Sequence, residues 1–271
     1  MRLAVSNVAW DAGEDDVILA VMKRYGVAGL EVAPTKIWDR PADVTETTAT
    51  AYRRGWEERQ IEIVAMQSLL FGQQGLELFN GPQARTRMFD YLAMIVRLAS
   101  WLGARALVFG SPQSRALHGM DPAQAREVAV EFFRRLADVA TRHGTAICLE
   151  ANPAVYGSEF AQTTTEAIEV VEQVDRPGFR VQLDTGSLSL MGESTDRTIE
   201  RAFGFIGHVH VSEPHLRPID MATVDHPPIA AALKRLGYDG WVSLEMRSGA
   251  RLSNAATLDA ALGRVADLYG G

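Results

Sequence analysis

Short apolar runs alternate with longer amphipathic segments along the whole chain. The runs are only a few residues long and rich in β-branched side chains, which is typical of buried strands. They lie at residues 3–5, 29–32, 61–66, 106–109, 146–149, 180–183, 208–211 and 241–244. Between them, apolar residues recur every three or four positions, as in 86–102 and 123–143, and this spacing predicts helices. Strand and helix alternating eight times predict a (β/α)8 TIM barrel, with residues 1–271 forming a single domain.

Residues that end and begin helices support this register. Glycines that could close a helix in the left-handed conformation precede four of the predicted strands, at Gly26, Gly103, Gly144 and Gly237. N-caps are expected at Asp15, Thr45, Asp121, Thr164 and Ser253. The main alternative is a doubly wound open sheet, but the glycine-rich dinucleotide turn after the first strand is missing. The helical pattern is weakest near residues 194–203, in the sixth repeat.

The fifth to eighth predicted strands each end at a side chain that can bind a metal. These are Glu150, Asp184, His210 and Glu245, at intervals of 34, 26 and 35 residues. Each interval is about one strand-plus-helix repeat, so the four side chains should meet at the C-terminal end of the barrel. Three carboxylates and an imidazole suit one hard or borderline divalent ion, either Mn²⁺ or Mg²⁺, with Co²⁺ and Zn²⁺ also compatible.

Other polar and aromatic residues near strand ends suggest a small polyhydroxylated ligand. Neutral hydrogen-bonding side chains are placed there at Asn7, Gln67 and Asn152, and Trp10 follows the first strand, where it could stack on a sugar. His208, on the seventh strand with His210, is expected to point to the opposite side and pack between the barrel and the helices.

Composition restricts the possible partners. The net charge is −7 with no concentrated basic stretch, which disfavours nucleic acid binding. No apolar run is long enough for a membrane span and the first residues do not resemble a secretory signal, so we expect a cytoplasmic protein.

The single cysteine, Cys148, is expected to be a small buried hydrophobe. Three cations after predicted strands could meet a phosphate or carboxylate on the substrate: Lys36, Arg115 and Arg247.

The strand ends resemble those of the xylose isomerase-like TIM barrels, in particular the sugar phosphate isomerase and epimerase branch related to tagatose 3-epimerase. The matching segments are Leu-Glu150-Ala-Asn152, Leu-Asp184-Thr-Gly186, His208-Val-His210 and Gly237-Tyr-Asp-Gly-Trp-Val-Ser-Leu-Glu245. The resemblance covers the whole chain, and its last segment is the most specific. It implies an isomerase of carbohydrate metabolism that transfers a proton through an enediolate.

The resemblance also implies roles for individual residues. Glu150, Asp184, His210 and Glu245 would hold one divalent ion, usually Mn²⁺, and the two glutamates would act as acid and base on opposite faces of the substrate. Arg217 resembles the arginine with which the epimerases hold substrate, and Glu31 matches a common acidic position. Ser187 stands where the epimerases usually carry a substrate-contacting histidine, and we place it in the substrate site.

Two further functions remain open at this stage. The same barrel supports metal-dependent dehydratases, in which a β-hydroxyl leaves after the proton is removed, and it could also be a sugar-binding barrel without catalysis. The apurinic endonuclease branch is disfavoured because the positions of its extra histidines hold Gln67, Ser111 and Ser187. Apolar residues at Phe71, Leu76, Leu78 and Phe79 predict either a lid or the contact surface of a homo-oligomer.

Overall fold

The computed structural model describes residues 1–249 and 251–270, and in this part of the chain eight parallel strands form a closed barrel. The strands are β1 (Arg2–Ser6), β2 (Gly29–Val32), β3 (Glu62–Met66), β4 (Ala106–Phe109), β5 (Ala146–Glu150), β6 (Phe179–Asp184), β7 (Ile206–Ser212) and β8 (Trp241–Glu245). Each strand pairs with its neighbours in sequence, and β8 pairs with β1, so the sheet has no open edge. The predicted (β/α)8 barrel is confirmed.

Helices surround the barrel and connect its strands. They are α1 (Asp15–Arg24), α2 (Glu46–Glu57), α3 (Gly81–Leu102), α4 (Pro122–Arg142), α5 (Thr164–Val174), α6 (Thr185–Leu190), α7 (Thr195–Ala202), α8 (His226–Arg235) and α9 (Asn254–Tyr269). The weak pattern in the sixth repeat corresponds to two short helices, α6 and α7, in place of one long one. None of the described helices is both long and apolar enough to cross a membrane.

The predicted helix ends are correct with two exceptions. All four glycines have positive φ values, at Gly26 (66°), Gly103 (81°), Gly144 (69°) and Gly237 (78°). The side chains of Thr45, Asp121 and Ser253 accept hydrogen bonds from the first turns of α2, α4 and α9. The N-caps of α1 and α5 are one residue earlier than predicted, at Glu14 and Thr163. At α5 two adjacent threonines compete, and the one with extended backbone becomes the cap.

The segment predicted as a lid or contact surface is mostly part of the core. Leu78 and Phe79 are buried, and the Phe79 ring packs edge-on against Phe160 with centroids 5.2 Å apart. Phe71, in contrast, is 70% exposed. Leu78 and Phe79 therefore stabilise the barrel itself, and a lid or oligomer contact remains a prediction for Phe71 and its surroundings.

A small apolar cluster lies toward the N-terminal ends of β4 and β8. Ala106 opens β4, Trp241 opens β8, and both pack in a small apolar cluster with Ala4 and Cys148. Burial raises the pKa of the Cys148 thiol to about 12, so the thiol stays protonated at neutral pH. Cys148 is thus the buried hydrophobe that the sequence predicts.

Candidate metal centre and active site

Four side chains from β5 to β8 converge at the C-terminal end of the barrel. Glu150, Asp184, His210 and Glu245, the four-residue cluster, each offer one ligand atom, and these atoms lie within 4.8 Å of one another. The Nδ1 atom of His210 is 3.2 Å from a Glu245 oxygen, 3.6 Å from a Glu150 oxygen and 4.0 Å from an Asp184 oxygen. The structure therefore brings together the four side chains that the sequence predicts as ligands.

The electrostatics of the four-residue cluster favour a cation at its centre. Burial raises the pKa of Asp184, and repulsion from Glu150 adds to the rise. Burial also raises the pKa of Glu245 to about 7, with Glu150 and Asp184 adding to the rise and His210 opposing it. Carboxylates crowded in a buried site resist ionisation unless a positive charge is close. A divalent ion would supply that charge, so the donor set fits one in both chemistry and spacing.

Glu31 lies directly behind His210 and orients its ring. Both Glu31 carboxylate oxygens are 2.9 Å from His210 Nε2, and Glu31 is 0% exposed. Burial by itself would raise the pKa of Glu31, but the imidazoles of His210 and His208 lower it below its usual value. When Glu31 accepts a hydrogen bond from the Nε2–H group of His210, the Nδ1 atom is left to face the carboxylates of Glu150, Asp184 and Glu245. This is the arrangement by which proteins orient a metal-binding histidine.

The prediction for His208 is wrong. Its side chain is buried inside the barrel, with Nε2 3.7 Å from a Glu31 oxygen and its ring edge-on to that of His210. Residues two apart on a strand project to the same side, so His208 and His210 share the interior face. His208 therefore packs against Glu31 and His210 in the barrel interior.

Replacing Glu31 with glutamine should weaken metal binding without removing a ligand. The neutral amide would accept one hydrogen bond from His210 but could not make the imidazole more basic, and such changes lower affinity about ten- to a hundredfold. Competition with a metal-binding dye would measure this. Glu62→Gln, which neutralises an exposed glutamate at the start of β3, is the matched control. Equal affinities for the two variants would contradict the role given to Glu31.

A cavity of about 340 Å³ opens above the four-residue cluster. Its lining includes the three carboxylates of the cluster and three residues predicted to contact substrate: Gln67, Asn152 and Ser187. Further polar side chains that line it are Ser68, Ser111, Tyr156, Ser212, Glu213, His215 and Arg247. Neutral hydroxyl and amide groups next to a metal site suit a small ligand with several hydroxyls.

Two of the predicted substrate contacts have structural roles beside the cavity. Asn7 is buried, and its side-chain oxygen accepts a 2.7 Å hydrogen bond from the backbone of Ala33. Trp10 is buried, and its indole donates a 2.8 Å hydrogen bond to Asp15. Both side chains line a smaller neighbouring cavity and fix the loops after β1 and β2. Strand-end position alone does not distinguish these roles from substrate binding.

The remaining two predicted contacts, Glu31 and Arg217, are also displaced from the cavity. Glu31 is completely buried, so its predicted contact with substrate becomes a contact with His210. Arg217 is exposed, lies outside the lining and donates a 2.6 Å hydrogen bond to Thr223. The residue that the resemblance assigns to substrate binding therefore points along the protein surface in this chain.

Glu150 is held in place by a buried arginine and an asparagine. Asn152 donates a 2.7 Å hydrogen bond to the Glu150 carboxylate, and Arg115 donates to the Glu150 carbonyl (2.9 Å), the Phe160 carbonyl (3.2 Å) and the Asn152 side chain. Arg115 is 0% exposed, so it positions Glu150 and does not bind an anion from solvent. Gly110 leaves the room that Glu150 needs, because a Cβ there would lie 2.5 Å from a Glu150 oxygen.

Asp184 is oriented by two serines. Its carboxylate accepts 2.6 Å hydrogen bonds from the Ser187 backbone N–H and from the Ser212 hydroxyl. Ser187 thus lies in the cavity and supports a predicted ligand through its backbone. Sequence reasoning missed Ser212, although its position two residues beyond His210 places it on the same face of β7.

Comparison with known proteins is consistent with this architecture. The model of the xylose isomerase-like TIM barrel family matches residues 19–266. The chain belongs to this family. The resemblance seen in its strand ends is therefore confirmed, and curated relatives in the family are named as sugar isomerases and epimerases.

Three relatives illustrate the range of the similarity. D-psicose 3-epimerase of Ruminiclostridium cellulolyticum is 30% identical over 119 residues, 44% of this chain and 40% of that protein. A 2-oxo-tetronate isomerase of Pectobacterium atrosepticum is 28% identical over 129 residues, 47% and 49% of the two chains. The aligned part thus spans less than half the length of these curated relatives. The crystal structure of D-psicose 3-epimerase with D-tagatose from Clostridium cellulolyticum has a TM-score of 0.82 at 17% identity, covering 100% of both chains, which shows a shared fold.

Proposed function

We propose that this protein is a divalent-metal-dependent sugar isomerase or epimerase. The observation that carries the proposal is the four-residue cluster, which places two glutamates, an aspartate and a histidine around one point beneath a small polar cavity. The names of the curated relatives, which include 3-epimerases of ketoses and 2-oxo-tetronate isomerases, support the same class of reaction.

The ion would be held by Glu150, Asp184, His210 and Glu245, and Mn²⁺ is the ion we expect. When bound, it would polarise the substrate carbonyl and so make the neighbouring C–H group more acidic. Glu31, Ser212 and Asn152 keep three of these side chains in position through the hydrogen bonds described above.

Glu150 and Glu245 can exchange protons with the substrate from different sides. They end β5 and β8, which are separated by β6 and β7 in the closed barrel. One glutamate would take the proton from the carbon next to the carbonyl and give an enediolate. Return of a proton to the opposite face of that carbon gives an epimer, and return to the adjacent carbon gives the aldose or ketose isomer. In both outcomes one proton leaves carbon and one returns to carbon, so the reaction needs no oxidant or reductant.

Solvent deuterium exchange tests the proposal. The Mn²⁺-loaded protein is incubated in D₂O with D-psicose, D-fructose, dihydroxyacetone and hydroxypyruvate, and products are followed by NMR and mass spectrometry. We expect deuterium at a carbon next to the carbonyl of at least one substrate. Loss of water from the product would indicate a dehydratase instead. Binding without exchange for all four compounds would indicate a sugar-binding barrel.

A further inference from the structure

We infer that the substrate carries an anionic group and that Arg247 binds it. The inference deepens the proposed function by naming a substrate class, a hydroxy ketone with a carboxylate or phosphate at one end. It depends on the location of Arg247, on its lack of other partners and on the charge of the site below it.

Arg247 is held at the cavity by the backbone of the segment that follows β8. It lies two residues beyond Glu245, the last residue of β8, and both side chains line the same cavity. Its backbone N–H donates a 2.9 Å hydrogen bond to the carbonyl of Leu216, and that of Ser248 donates a 2.9 Å hydrogen bond to Val8. Met246, which lies between Glu245 and Arg247 in the chain, is completely buried. The base of Arg247 is therefore fixed, while its exposed side chain lines the cavity.

The guanidinium of Arg247 has no partner within the described part of the chain. No carboxylate lies within 4.0 Å of it, and its side chain makes no hydrogen bond there. The other cations considered from the sequence are engaged elsewhere: Lys36 with Asp11 and Arg115 with buried carbonyls. Among the described residues that line this cavity, Arg247 is the only one with a permanent positive charge.

The charge of the four-residue cluster explains why an anionic substrate would need this arginine. Three carboxylates around one divalent ion leave about one net negative charge. This charge would repel an anionic substrate that enters the cavity. A neutral ketose would not require compensation. An arginine at the cavity wall offsets the repulsion, and its planar fork matches two oxygens of a carboxylate or phosphate.

A matched pair of probes tests the inference through binding alone. Hydroxypyruvate and dihydroxyacetone are three-carbon hydroxy ketones that differ by a carboxylate in place of a CH₂OH group, and dihydroxyacetone phosphate adds the phosphate alternative. Calorimetric titration of the Mn²⁺-loaded protein gives the ratio of anionic to neutral affinity. Arg247→Gln should lower this ratio about tenfold, since hydrogen bonds to a charged group are lost. Arg247→Lys should retain part of the ratio.

Two further variants make the outcome decisive. Arg251→Gln removes an exposed positive charge four residues further along the chain and should leave the ratio unchanged. An unchanged ratio in Arg247→Gln, or an equal loss in Arg217→Gln, would overturn the inference. A larger loss of affinity for hydroxypyruvate in Arg247→Gln would indicate a carboxylated substrate. A larger loss for dihydroxyacetone phosphate would indicate a phosphorylated one. The titration measures binding and does not depend on turnover. An absence of deuterium exchange would therefore refute the proposed function, while the effect of Arg247 on anion binding could still be measured.

Discussion

Replacing either Glu150 or Glu245 with glutamine should lower turnover about a thousandfold, which is within the range expected for loss of a general acid or base. Both side chains reach the cavity next to the four-residue cluster, and an amide can neither accept nor return the proton. Glutamine has nearly the same shape as glutamate, so the barrel should remain folded. Steady-state kinetics at saturating Mn²⁺, together with circular dichroism, would measure both expectations.

Metal content separates the two roles of these glutamates. A variant that retains its ion but loses deuterium exchange has lost the acid or base, whereas one that also loses the ion has lost a ligand. Glu131→Gln, on the exposed face of α4, is the control for removal of one negative charge. A glutamine variant that turns over substrate at close to the wild-type rate would refute the assignment.

Replacing Arg115 with methionine should destabilise the protein by about 3 kcal/mol, because it removes three buried hydrogen bonds that a charged donor makes. Burial lowers the pKa of Arg115 to about 10, against the opposing effect of Glu150, so the guanidinium stays charged at neutral pH. Its loss would leave the side-chain oxygen of Asn152 without this donor and would remove one donor each from the carbonyls of Glu150 and Phe160. The Phe160 carbonyl would keep its 2.9 Å hydrogen bond from the Ser158 hydroxyl. Glu150 should then be less well positioned, so activity should fall as well.

Urea unfolding of both proteins would measure the change. Arg142→Met, at the exposed end of α4, is the matched control and should change the free energy of unfolding by less than about 0.5 kcal/mol. A loss below about 1 kcal/mol for Arg115→Met would show that the three buried hydrogen bonds of Arg115 contribute little to stability, in disagreement with the structure.

The barrel and the four-residue cluster were predictable because both follow from periodicity. The C-terminal ends of all strands in a parallel barrel lie at the same end of the barrel. Metal-binding side chains at the ends of four consecutive strands are therefore expected to lie close together. The strands β2 and β4 have the predicted bounds, and each end of the other strands lies within two residues of its predicted position. What the sequence could not show was how deep each side chain lies below the cavity. Glu31 and Gln67 lie at the C-terminal ends of the neighbouring strands β2 and β3, one residue before and one residue after the last strand residue. Yet Glu31 is beneath His210 and Gln67 lines the cavity.

Loop residues were harder to predict, since their side-chain directions depend on backbone turns without regular period. Arg115 and Arg247 both follow strands and carry the same charge, but the first turns inward to carbonyls and the second lines the cavity. Arg217, assigned to substrate by resemblance, follows a loop in which His215 has a left-handed backbone with φ of 63°. The error for His208 had a different origin, because its position two residues from His210 already placed it inside the barrel.

The metal content of the purified protein tests the central claim most directly. Protein prepared without chelators is analysed by mass spectrometry of its elements, beside Asp184→Asn and the exposed control Asp267→Asn. We expect about one equivalent of a divalent ion, most readily Mn²⁺, in the wild type and in the control, and a large loss in Asp184→Asn. A wild-type protein that contains no divalent ion and takes up none when Mn²⁺, Mg²⁺, Co²⁺ or Zn²⁺ is added would contradict the account.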